Sequence, residues 1–95
     1  MAYFLEFTQQ AKIDLHDLPA LTREGRNKLF ASLAFLREIS DAFRADPINR
    51  HAGLLSYTLV MEDEGRVRSF VFAVDDSHVQ AGVLRVVSVA DITPL

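Results

Sequence analysis

Residues 56–91 read Ser56-Tyr57-Thr58-Leu59-Val60-Met61, Glu62-Asp63-Glu64-Gly65, Arg66-Val67-Arg68-Ser69-Phe70-Val71-Phe72-Ala73-Val74, Asp75-Asp76-Ser77-His78, then Val83-Leu84-Arg85-Val86-Val87-Ser88-Val89 and on to Asp91. Three runs rich in β-branched and aromatic residues, separated by turn chemistry, predict consecutive antiparallel strands, a meander. Along the middle run Phe70, Phe72 and Val74 share a face with Arg66 and Arg68, while Val67, Ser69, Val71 and Ala73 share the other. Both faces are apolar at the centre. Either the sheet is well packed with a few exposed aliphatics, or one face binds protein.

Working outward, Ala2 to Phe7 is rich in strand formers and reads as a first strand that joins the sheet non-locally, with Thr8 capping the helix after it. From Gln9 to Leu18, Ala11, Leu15 and Leu18 form one stripe of that short helix, stopped by Pro19. Lys12, Asp14, His16 and Asp17 are expected to face solvent. A longer helix is expected from Thr22 to Phe43. Its buried stripe is Leu29, Leu33, Leu36, Ile39 and Phe43, and Phe30 and Phe35 broaden the apolar arc. Gly25 falls on the stripe, where glycine permits close approach of the two helices. The connection Leu18-Pro19-Ala20-Leu21 makes the pair an antiparallel hairpin lying on the sheet. Asp46-Pro47 ends the helical region, and Asn49-Arg50-His51-Ala52-Gly53 reads as a polar loop. The expectation is a single α+β domain over residues 1–95, ordered β-α-α-β-β-β, with a helical hairpin on an antiparallel-rich sheet.

Composition narrows the classes. The 95 residues suffice for one core. The absence of cysteine excludes disulfides and thiolate metal sites and fits a reducing cytoplasm. The opening residues lack the pattern of a signal peptide, and no apolar run approaches the roughly 20 residues that span a bilayer. A formal net charge of −3 weighs against a protein that coats nucleic acid and makes protein the default partner. No cofactor or metal is expected. There is no glycine-rich phosphate loop, and His16, His51 and His78 lack metal-ligand spacing. Asp75, Asp76 and Ser77 read as turn formers.

Over nearly its whole length the chain resembles the RelE/ParE superfamily of bacterial toxins, and within it the RelE/YoeB-type ribosome-dependent ribonucleases. The resemblance lies in the first strand flowing into Ala11-Lys12-Ile13-Asp14-Leu15 and in the helix closing on Asp46-Pro47. It continues through Gly53-Leu54-Leu55-Ser56 and Phe72-Ala73-Val74-Asp75-Asp76-Ser77. It implies a toxin held inactive by an antitoxin protein, with ribosome-bound mRNA or DNA gyrase as target.

Such nucleases need a base, an acid for the leaving oxygen, and cations for the extra phosphate charge. On the resemblance, Arg68 and Arg85 are the phosphate stabilisers, His51 or His78 supplies acid/base chemistry near neutrality, and Arg50 and Arg66 contact RNA. The match is partial. Tyr57-Thr58 stand where relatives often carry arginine, and Val87-Ser88 replace the His-Tyr pair of YoeB-like members. The competing expectation is that the arginines are edge charges paired with Glu62, Glu64 or Asp91. A non-catalytic module using the same sheet as an interface or homodimer surface is the alternative function.

Overall fold

The computed structural model describes residues 2–18 and 21–94. Strand β1 (Phe4–Phe7) leads into helix α1 (Gln9–His16), followed by α2 (Arg23–Leu36) and α3 (Asp41–Ala45). A two-residue strand β2 (Arg50–His51) precedes the long strands β3 (Leu54–Asp63), β4 (Arg66–Asp75) and β5 (Val83–Asp91). The five strands form one sheet in the order β1-β5-β4-β3-β2. β1 runs parallel to β5, with Phe4 opposite Val83, and the remaining pairs are antiparallel. The fold is α+β, with a mixed open sheet.

The meander forms where the residue types placed it, but its first turn is tighter than expected. Asp63 belongs to β3 and lies opposite Arg66, so the hairpin turns on Glu64-Gly65 alone. Both turn residues have positive φ, 52° and 76°, the backbone that matches strand twist in a two-residue hairpin. Ala52-Gly53, with φ of 53° and 82°, closes the β2–β3 hairpin in the same way. The segment expected as a polar loop therefore supplies an edge strand.

Helices cover one face of the sheet. α1 lies over β5 and β1, and α2 over β3. Ala11, Leu29, Leu33 and Leu36 come down onto Leu55, Phe70, Phe72, Val74, Leu84 and Val86, all buried. Phe30 and Phe35 do not join this core; they point outward. The Pro19-Ala20 connection of the expected helical hairpin lies outside the described residues.

The single helix expected from Thr22 to Phe43 is divided. α2 ends at Leu36, its last turn tightens through Glu38 N–H to Phe35 O and Ile39 N–H to Leu36 O, and α3 restarts behind Ser40. The Ser40 hydroxyl accepts from Phe43 N–H at 3.0 Å, an N-cap with Asp41 in the first turn. The break lets the chain entering β1 dock on the helix end. Tyr3 N–H donates to Arg37 O at 2.8 Å, and Arg37 Nε donates to Tyr3 O at 2.9 Å.

Two helical residues also take places not expected of them. Asp14 turns inward, and its carboxylate accepts from Val89 N–H at 2.9 Å. Thr8 caps α1 as expected and donates to Val87 O at 2.7 Å. These contacts meet an irregularity in β5: Ser88 pairs with Ala73 and Val86 with Val74, leaving Val87 as an extra residue. A β-bulge frees backbone groups from the ladder, and here α1 and its cap bond that part of β5. Gly25, expected at a helix–helix contact, lies against β3 instead. A β-carbon there would fall 2.6 Å from Cγ of Asp63.

Candidate functional site

The alternation of β4 puts Arg68, Phe70, Phe72 and Val74 on the helix-covered face and Val67, Ser69, Val71, Ala73 and Asp75 on the open one. Arg68 is accordingly only 5% exposed. Its Nη2 donates to Asp91 Oδ2 at 2.7 Å and its Nε to Thr93 Oγ1 at 3.3 Å, while the guanidinium lies over the Phe70 ring. Burial works to raise the Asp91 pKa, but the hydrogen bonds from Thr93 and Arg68 outweigh it and hold the carboxyl below its usual range. This end of the sheet also carries Asp63, whose carboxylate receives both the N–H and the hydroxyl of Thr22 at the start of α2. Those bonds, with the nearby Arg68 and Lys28 charges, lower its pKa against the effect of burial. Arg66 stands exposed beside the Glu64-Gly65 turn.

Arg85 belongs to the other end. It lies opposite Asp75, on the open face, and its guanidinium pairs with Glu6 of β1 at 3.2 Å. Hydrogen bonding from Ser77 lowers the Asp75 pKa against the effect of burial, and the nearby His78 and Arg85 add smaller contributions in the same direction. On the covered side of the same end Arg50 forms a bidentate pair with Asp76, at 3.0 and 2.6 Å. That bond is the main reason the Asp76 carboxyl titrates low. Arg44, which the sequence did not single out, comes within 3.7 Å of Asp76, bonds Asp41 and lies over the Tyr3 ring. His51, in β2, is exposed.

The candidate residues therefore form two groups and not one site. Arg68 and Asp75, the residue opposite Arg85, are seven positions apart on β4, about 23 Å along an extended strand. Arg68 and Arg85 also project from opposite faces. Two side chains so placed do not converge on one phosphate. Arg68, Arg85 and Arg50 each hold a carboxylate, Asp91, Glu6 and Asp76. Among the described residues no group of three or more His, Asp or Glu side chains is arranged to hold a metal ion.

The open face of the sheet is the remaining extended feature. Ser56, Thr58, Val60, Val67, Ser69, Val71, Ala73 and Ser88 lie on it, and Val60 and Val67 are 62% and 60% exposed. No helix among the described residues is long and apolar enough to cross a membrane. Comparison with protein families, with curated proteins and with solved structures found no match.

Proposed function

We propose that the chain is the toxin-like component of a bacterial type II toxin–antitoxin pair. On this reading it is a RelE/ParE-type domain, acts in the cytoplasm by binding protein, and is held in check by an antitoxin. The strand-helix-helix order followed by the three-stranded meander supports the family reading. The observation that carries the mode of action is the separation of Arg68 from Arg85, with each committed to an internal carboxylate. Cleavage of ribosome-bound mRNA needs cations gathered at one phosphate. Cations neutralised at two ends of a sheet favour a protein target such as DNA gyrase over mRNA.

A second reading, a non-catalytic binding module or homodimer, draws on the exposed valines of the open sheet face. Induction of the protein in a bacterial host, alone and then with the adjacent small open reading frame, separates the two. The toxin reading expects growth arrest from the protein alone and relief by its neighbour. Its protein-target form expects supercoiling activity to fall while mRNA 5′ ends stay unchanged. Normal growth on induction overturns the toxin reading.

A further inference from the structure

Lys12 and His16 stand one turn apart on α1 and form a ridge between two adjoining depressions. The larger, about 550 Å³, is lined by Phe7, Lys12, Leu15, His16, Arg26 and Phe30, between α1 and α2. The smaller, about 350 Å³, lies across the ridge and includes Ile13 and Asp17. Phe30 is 51% exposed and Ile13 45%. Large apolar side chains thus flank a basic ridge on the outer surface of the helix layer.

The geometry points to a docking site here for an acidic amphipathic segment of a protein partner. Charge is the first argument. The lining of the larger depression carries Lys12, Arg26 and the His16 imidazole and no carboxylate, on a chain whose formal net charge is −3. Asp17 lies on the far side of the ridge, 3.7 Å from His16. Arg26 is held in place, since its Nη1 and Nη2 donate to Leu15 O and Leu18 O at 3.2 and 3.1 Å. Its charge therefore faces the groove at a fixed position without a carboxylate to neutralise it there.

Shape is the second argument. One apolar hollow beside Lys12 and Arg26, with the exposed Ile13 across the ridge, suits a chain that seats apolar side chains in the hollow and on Ile13 and sets carboxylates across Lys12 and Arg26. An isolated small anion would leave Ile13 uncovered. Apolar anchors in pockets supply the affinity and the charges set orientation and choice of partner. The inference takes its biological partner from the antitoxin reading, but the surface chemistry is testable apart from it.

The test titrates the isotope-labelled full chain with a short helical peptide of leucine, phenylalanine and glutamate, and with its counterpart in which every glutamate is lysine. The expected result is backbone shifts at Lys12, Leu15, His16, Arg26 and Phe30, with the glutamate peptide at least about tenfold tighter. The exposed substitution Lys12→Glu should remove most of that preference while the circular dichroism spectrum stays unchanged. Equal binding of the two peptides, or shifts centred on Val60 and Val67, overturns the inference. Neither result depends on growth arrest, so failure of the toxin reading remains distinguishable.

Discussion

The Asp63 carboxylate occupies the space that a side chain on Gly25 would need, with Cγ 2.6 Å from the ideal β-carbon position. It is anchored there by Thr22, so it cannot swing aside without breaking the bonds that start α2. Alanine in an open helix site would gain about 1 kcal/mol over glycine. Here Gly25→Ala is expected to lose about 1–3 kcal/mol, because the crowding outweighs the propensity gain. Urea denaturation of Gly25→Ala, Asp63→Ala and the double variant checks the cause. The double variant should lose less than the sum of the singles. Simple additivity would mean that the two residues do not compete for the same volume.

Arg68 and Arg85 should separate sharply in stability. Arg68→Ala leaves Asp91 without its buried partner and is expected to lose about 3 kcal/mol. Arg85→Ala breaks a half-exposed pair with Glu6 and should lose less than about 1 kcal/mol. Thermal unfolding measures both. Equal losses would contradict the burial difference.

At the β5 bulge, Thr8→Ala removes the α1 cap and the bond to Val87 O together, an expected loss of about 1–2 kcal/mol. Asp14→Ala leaves the Val89 N–H without its acceptor. Hydrogen exchange should then quicken at Val89 well before neighbouring β5 amides change. Unchanged protection there would show that the carboxylate does not close this site.

Stability should depend on acid in one direction only. Asp63, Asp75, Asp76 and Asp91 all titrate below their ordinary value in the folded chain. A carboxylate with a depressed folded pKa stabilises the fold fully above its unfolded value, about 3.9, and that contribution is lost as pH falls through the folded value. Denaturant midpoints should therefore stay level from about pH 7 to 5 and fall below about pH 4. Asp76→Asn should start lower and fall less, since its bond to Arg50 is the main cause of its shift. A parallel fall in wild type and variant would remove Asp76 from the account.

Neighbouring β4 residues should give opposite results. Phe72→Lys places a charge in the core and should abolish cooperative unfolding. Val71→Lys points to the open face and should fold within about 1 kcal/mol of wild type. Loss of partner binding or self-association in Val71→Lys would mark the open face as an interface; unchanged association would exclude it.

Much of the fold was legible because the strand runs are long and their punctuation is strong. The acidic turn ending in Glu64-Gly65 marks a hairpin from residue types alone, whereas the buried face stayed open because Phe70, Phe72 and Val74 on one side and Val67, Val71 and Ala73 on the other are all apolar. Ser40 escaped notice because it sits between Ile39 and Phe43, which continue the helical stripe across the break. Its signal was the Ser-Asp pair, a cap followed by an acidic first turn. Arg50-His51 is too short for periodicity to detect as a strand. The candidate site was less legible. Sequence placed Arg68 and Arg85 on strands, but their faces and spacing depend on the register and on the extra residue at Val87. Asp91 was correctly among the carboxylates expected to pair with an arginine, whereas the bonds of Arg85 to Glu6 and of Arg50 to Asp76 need non-local geometry.

The pairing of β1 with β5 has a consequence for how the chain is made. Glu6 and Arg85, bonded neighbours in the finished sheet, are 79 positions apart. During synthesis β1 emerges long before the strand that receives it, and Phe4 and Leu5 wait without a partner while the rest is assembled. Contacts this distant slow folding and leave apolar segments exposed meanwhile. The meander closes by local contacts and can form before β1 docks. A binding partner present during translation would meet that incomplete edge before the sheet could seal it.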